Sequence, residues 1–577
     1  MKRLTLLTTI LIVLSILLSA CGQSTPEVVE KEVTSIVVET VKETVMVEGE
    51  AQVVEKEVTK VVEQVVTEVV EKEVEVVVTA TPEPEAEQIF RIAAQFDTWS
   101  ADPAVVANAS WTGEFMARAS YDPLIVMRGY PYQPELVLAE SYEVSDDYTE
   151  WTFVLREDAV FHDGSPVTAD DVKYSWERAH GLGTDVSAWW FGVADTDSLE
   201  VVDERTVRFT LDTPYADFLS TLIQLFIVNA DLVRENEAEG DFGTGWLSEN
   251  EAGSGPFTLE TYEPGSQYVY TAVEDYWNGW PNDKHMDKII VKIMPESTTQ
   301  KLALQKGDLD WTDMEPEDFK AVQGEPGVET NLRGANSYMI FMNNQEGPTA
   351  DPNVRKAIAH AFNYDAMLAT VVGEKAQGLL KREVPGFVPL DMPDYDIEKA
   401  KEYLAQSAYP DGGFELTFVA LADYKPEETI GLLLQEGLGE LGITVNVVPT
   451  EWTQYYELCA SPEAAPDMLT LEPSSWWATS QTLTERYSSA NWGTLLGCSF
   501  YKNEEVDRLL EEIRAKPDDE SLLEMDQIQR LVFEDTPMVV MYHYGYKQAY
   551  TDRLRGLGND NHPLPYPPFP QDLYYGE

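Results

Sequence analysis

Histidine, cysteine and basic residues are all scarce in this chain. Among 577 residues there are six His and three Cys. No His pair has metalloprotease spacing and no Cys-x-x-Cys occurs, so neither a metal centre nor any other cofactor is expected. Lys and Arg number 40 against 102 Asp and Glu, a net charge of −62. Such a field repels phosphate backbones, which excludes nucleic acid as a partner. There is no Gly-x-Ser-x-Gly elbow. Carboxylate pairs in so acidic a chain discriminate nothing, so no enzyme is expected. Aromatic residues are absent before Phe90. What is present is 44% hydrophobic and 11% aromatic content, enough for a large core in several structural units.

Lys2 and Arg3 precede an apolar run from Leu4 to Leu18, broken only by Thr5, Thr8, Thr9 and Ser15. It is shorter than the ~20 residues of a spanning helix and reads as a signal-peptide core over 1–20. Leu18-Ser19-Ala20-Cys21-Gly22 resembles a bacterial lipobox, which implies cleavage before Cys21 and lipidation of its thiol. The expected location is the outer face of the cell membrane or the periplasm, with the protein held by acyl chains. In an oxidising compartment Cys459 and Cys498 are candidates for a disulfide; two buried free thiols are the alternative.

Residues 21–87 hold the lipobox Cys and a stretch biased to Val, Glu, Thr and Lys. Val-Val-Glu-Lys-Glu-Val stands at 28–33, 53–58 and 69–74. The segment has too few large apolar groups to fold as a domain. Val58, Val62, Val65, Val69 and Val76 approximate a heptad seam, so a coiled-coil stalk and an extended charged tether both fit. Thr81-Pro82-Glu83-Pro84 closes it as a stiff linker.

From 88 onward strands and helices alternate. Phe90–Ala94, Trp151–Arg156 and Val207–Leu211 read as strands. Thr168-Ala169-Asp170-Asp171 reads as a capping-box start for a helix through Ala179. Phe414–Ala420, a helix with the stripe Ile430, Leu433, Leu434 and Leu438, and Thr444–Val448 form a β-α-β unit with parallel strands. Met538–Tyr542 is a late strand. The class is α/β with mixed sheets.

Several segments carry a resemblance. They are Tyr121-Asp122-Pro123-Leu124, Pro134–Asp147, Trp151–Arg156 and Phe161-His162-Asp163-Gly164 through Val172. Further on come Gly253-Ser254-Gly255-Pro256-Phe257, Glu274-Asp275-Tyr276-Trp277, Ala303–Asp310, Asp351–Phe362 and Asn503–Leu510. Together they resemble family 5 of the extracellular solute-binding proteins, the peptide, dipeptide and nickel receptors of ABC importers. The resemblance implies a two-lobed periplasmic-binding-protein-like clamshell. Its lobe I would comprise 88–120, 210–345 and 535–577, with a subdomain, 121–209, inserted. Lobe II would span 346–534. The matched motifs read mostly as scaffold: His162 as a structural hydrogen-bonding residue, Asp170 and Asp171 as helix caps.

The resemblance further implies an oligopeptide-like ligand between the lobes and an ABC transporter permease as partner. In peptide-binding members the segment after Asp467–Leu471 carries acidic residues, one of them pairing with the peptide ammonium. Here Ser and Ala fill much of it and Glu472 is the nearest carboxylate. Trp476 and Trp477 follow, and with Trp99, Trp189, Trp190 and Trp492 they offer flat faces for peptide side chains or sugar rings. Asn343 and Tyr544 are further candidates near the lobe crossing. An oligosaccharide-binding member is the alternative, and a structural or sensory surface lipoprotein is the alternative of a different class. The six scattered His make nickel or haem cargo less favoured.

Overall fold

The computed structural model describes residues 87–98, 100–106, 111–129, 133–183, 186–190, 192–281, 284–422, 424–471, 484–557 and 568–576. The chain divides into a unit of residues 1–86 and a unit of residues 87–577. The signal, lipobox and stalk readings, Cys21 among them, therefore lie outside the described residues. Among the described residues no helix is long and apolar enough to cross a membrane.

One eleven-stranded sheet organises the second unit. Its strands are β1 (Ile89–Ala94), β2 (Phe257–Glu263), β3 (Gln267–Ala272), β4 (Lys288–Ile293), β5 (Trp311–Asp313), β6 (Val328–Met342), β7 (Gly373–Lys375), β8 (Glu415–Leu421), β9 (Thr444–Thr450), β10 (Met468–Leu471) and β11 (Met538–Thr551). The order is β9-β8-β10-β6-β11-β5-β1-β4-β3-β2, with β7 on β11. The β-α-β expectation is met: β8 and β9 are parallel, Glu415 opposite Thr444, joined by the helix Lys425–Gly439. Its stripe Ile430, Leu434 and Leu438 is buried against Phe418 and Val445, in a cluster that also holds Tyr338, Ile340 and Tyr542. The sheet's other half buries Phe90, Ile92, Tyr268, Tyr270 and Trp311 against Phe115 and Met116.

A separate four-stranded antiparallel sheet packs against the helix Ala169–Leu182. Its core is aromatic: Trp151, Phe153, Trp176, Trp190, Phe209 and Phe218. The helix starts as its sequence implies. Asp171 Oδ2 accepts from Thr168 N at 2.8 Å and from its hydroxyl at 2.7 Å. The same core runs on through Ala252, past the expected boundary at 209. The reason is local: Val228 N donates to Ser175 Oγ and Ala230 N to Asp171 Oδ1, which ties the following segment onto that helix.

Four of the motifs that carry the resemblance, those holding Asp122, His162, Ser254 and Tyr276, converge on one buried junction. Asp122 accepts from Ser254 Oγ (3.0 Å), Tyr276 Oη (2.8 Å) and Trp277 Nε1 (3.1 Å). Burial pushes its carboxyl up to about 6, against the pull of those three donors. His162 bridges Glu251 (Nδ1, 2.8 Å) and the carbonyl of Gly255 (Nε2, 2.8 Å), the structural role expected of it. These segments hold the small sheet, the helix Trp111–Ser120 and the large sheet together.

Cys459 and Cys498 form a disulfide, with Cα atoms 4.7 Å apart and a sequence separation of 39. It closes a loop that contains β10. Reduction is expected to lower unfolding stability by about 2 to 4 kcal/mol, chiefly by releasing the unfolded chain. Urea melts with and without dithiothreitol check this; coincident curves would show that the bond contributes nothing.

Candidate functional site

The site is built on β6 and β11, the two longest strands. They pair antiparallel from Val328–Thr551 to Phe341–Met538 and carry the sheet from one half to the other. The register shifts twice, between Arg333 and Asn336 and between Tyr338 and Met339. Such bulges bend strands and re-aim side chains, and they are common beside functional sites.

On one face Tyr338 and Tyr542 stack, rings 5.5 Å apart and nearly coplanar in orientation at 3°. Tyr338 Oη donates to Glu427 Oε1 at 2.7 Å, and Glu427 Oε2 also accepts from Tyr455 Oη and Leu421 N. Burial raises the Glu427 carboxyl above its ordinary range, and these donors oppose the shift. Tyr544 packs on both stacked tyrosines; its hydroxyl is buried without a partner among the described residues. Further along, Asn331, Gln548 and Asp313 stand side by side on β6, β11 and β5. Gln548 is 0% exposed. Both of its amide atoms, Asn331 Oδ1 and Asp313 Oδ1 lack a partner among the described residues. Burial raises the Asp313 carboxyl. Buried polar groups are normally satisfied, so this row of open ones could take a polar solute or water.

Asn343 terminates β6. Its Nδ2 donates to Pro462 O (2.8 Å), and its Oδ1 accepts from Gln345 N and Glu346 N. It shapes the turn leaving the crossing strand. It also lines a groove of about 780 Å³ with Thr417, Val419, Thr450, Glu457 and Asp467. Among the described residues no group of His, Cys, Asp and Glu is arranged to hold a metal.

The other sequence candidates divide. Trp190 is a correction. It is 0% exposed, its Nε1 donates to Thr221 Oγ1 at 3.0 Å, and its ring lies 4.3 Å from that of Trp176. It fills the core of the small sheet and presents no face to a solute. Trp492 is half-buried; its Nε1 donates to Tyr501 O at 2.9 Å and its ring meets Phe500 edge-on. That bond secures the loop around Cys498. Trp99, Glu472, Trp476 and Trp477 lie outside the described residues, as does the side chain of Trp189. Sequence reasoning missed Tyr338, Glu427 and Gln548. Their signal was weak, because each reads as an ordinary strand or helix-start residue.

Residues 133–494 match the family model of bacterial extracellular solute-binding proteins, family 5, middle region. A relative in Escherichia coli K12, the probable D,D-dipeptide-binding periplasmic protein DdpA, is 30% identical over 80% of this chain and 89% of its own. Two solved structures share the fold. HbpA2 from Haemophilus parasuis has a TM-score of 0.72 and 23% identity, over 85% of this chain and all of its own. DppA from Helicobacter pylori, in complex with the peptide STSA, has a TM-score of 0.70 and 23% identity, over 85% of this chain and 98% of its own. The fold is the two-lobed α/β clamshell. The chain belongs to the bacterial extracellular solute-binding proteins, family 5.

Proposed function

We propose that this protein captures an oligopeptide-like solute between its lobes and delivers it to the permease of an ABC importer, without chemical turnover. The observation that carries this reading is the row of buried, open polar groups on β5, β6 and β11, which suits a ligand rich in amide donors and acceptors. The relative named for D,D-dipeptides and the neighbour holding STSA support a peptide over a sugar. Closure follows from differential affinity: a solute touching both lobes favours the closed state by the contacts that the open state lacks. Trp476, Trp477 and Glu472 are proposed contacts in the segment following β10. Lipidation at Cys21 is proposed to tether the protein outside the membrane, with residues 21–87 supplying reach.

The test is a thermal-shift screen with peptide pools and β-linked oligosaccharides side by side. A ligand at a hundred times its Kd adds about 2.7 kcal/mol, or about 3 °C for a unit of this length. Peptides are expected to register and oligosaccharides not. The W476A/W477A double variant is expected to melt like the wild type and to lose the peptide response. A sugar response alone would overturn the peptide reading.

A further inference from the structure

The core of the small sheet and the core under the helices Glu504–Arg514 and Leu522–Asp535 share no residue. The first runs through Tyr215 and Phe218. The second holds Val506, Leu509, Ile513 and Ile528 with Leu469 and Leu471 of β10. The two bodies touch at the C-terminal end of the helix Glu504–Arg514, where Ala216 N donates to Arg514 O at 2.7 Å. The last carbonyls of a helix have no partner within it, and this one is taken by an amide of the other body. Tyr215 is buried in the small-sheet core, and its N donates to Tyr148 O at 3.2 Å. Tyr215 and Ala216 thus carry the contact from one core to the other.

Charge surrounds the contact. Arg514 grips both oxygens of Glu485, Nε to Oε1 at 2.9 Å and Nη2 to Oε2 at 2.7 Å. Burial first, then the carboxylates of Asp217, Glu485 and Asp518, push the Tyr215 hydroxyl up, while Arg514 pulls it down. The ring therefore lies close to the ion pair. Glu485 opens the turn Glu485–Tyr487, and Asn491 Nδ2 donates to its carbonyl at 2.8 Å. Ser489 is tied to Asp507 of the same helix through its N (2.8 Å) and its Oγ (2.7 Å). The helix end, the turn and the ion pair are thus one rigid platform on which Ala216 rests. In sequence the turn follows Glu472, Trp476 and Trp477, proposed above as solute contacts.

The contact is built to open. Parting the two bodies hands Ala216 N and Arg514 O to water, and it leaves the Glu485–Arg514 pair and both cores whole. A hydrogen bond exchanged with water in this way changes an equilibrium by about two- to tenfold. That suits a reversible closure better than a permanent weld. We propose that Tyr215 and Ala216 on one side and Arg514 on the other form a latch between the lobes, separate from the polar row on β5, β6 and β11. The latch forms on closure and favours the closed state before solute arrives. This rests on the reading of the chain as a two-lobed solute receptor. By raising the fraction of chain competent to hold solute, the latch tightens the apparent affinity by the same factor.

The experiment uses the full chain, wild type and A216P, with a tripeptide pool as the probe. Proline deletes the donor of the latch. By small-angle scattering the ligand-free variant is expected to show a larger radius of gyration than the wild type, and the saturating pool to restore the wild-type value. Calorimetry is expected to show binding weakened about two- to tenfold. An unchanged radius together with unchanged affinity would overturn the latch. Amide exchange of the wild type gives a readout that needs no variant. It compares Ala216 with Leu211, whose N donates to Thr149 O within the small-sheet body at 2.8 Å. The Ala216 amide is expected to exchange at least about tenfold faster than Leu211 without solute, and the pool to slow Ala216 but not Leu211. Equal protection of the two, unmoved by the pool, is how a fixed scaffold contact behaves and would overturn the latch even if A216P fails to fold. If no peptide registers with the wild type, the peptide reading fails, and the ligand-free radii of wild type and variant still decide the latch.

Discussion

Gly253→Val is expected to destabilise the protein by about 4 kcal/mol or more, enough to prevent accumulation of folded chain at 37 °C. A Cβ at this position would stand 1.8 Å from the carbonyl oxygen of Ser120 and 2.7 Å from its carbon. The obstacle is backbone at the end of the helix Trp111–Ser120, so no side chain can rotate away. Nor can the Gly253–Gly255 segment retreat. Gly253 O accepts His162 N at 2.9 Å, and Gly255 N donates to Ser120 O at 2.9 Å. The two glycines let three segments meet at the Asp122 junction, and this close approach explains why Gly-Ser-Gly-Pro stands there. Gly265→Ala, where a Cβ meets nothing within 4 Å, is the comparison; its cost comes only from the left-handed backbone, φ 75°. Urea melts of both variants check the contrast. Similar midpoints would remove the packing argument.

Arg178→Met is expected to cost about 3 to 5 kcal/mol. Asp102 and Arg178 are 0% and 1% exposed, and the pair is bidentate, with Nη1 to Oδ1 at 2.8 Å. Arg178 Nε also holds Phe242 O (2.7 Å), and Thr244 Oγ1 holds Asp102 (2.6 Å). Truncating the arginine strands a buried carboxylate. The loss is therefore dominated by the charge left behind rather than by the worth of the pair. A D102L/R178M double variant is expected to recover much of that loss, because both charges leave together. If the double variant is as unstable as the single one, packing rather than electrostatics sets the cost.

Local pattern made much of the scaffold legible. The capping residues Thr168 and Asp171, the alternation of Trp151–Leu155, and the stripe Ile430, Leu434, Leu438 each act within one element, and each element formed where expected. The crossing strands were legible only in part. Met538–Tyr542 read as a strand, but β11 continues to Thr551. Gly545, Lys547 and Gln548 break its apolar alternation, and the pairing with β6 overrides their weak propensity. The same reason hid β6, where Asn331, Arg333, Gly334 and Asn336 have weak strand propensity. The candidate site was less legible still. Trp190 looked like a platform, because a tryptophan in the core and one in a cleft have the same sequence signature.

The central claim is that solute is held at the crossing strands. Amide hydrogen exchange of the full chain, with and without a saturating tripeptide pool, tests it most directly. The account predicts slowed exchange in the bulged stretch 333–338 of β6 and in 542–548 of β11, with little change in the Asp122 junction or in β2 and β3. Calorimetric binding with no added protection in either crossing strand would contradict it.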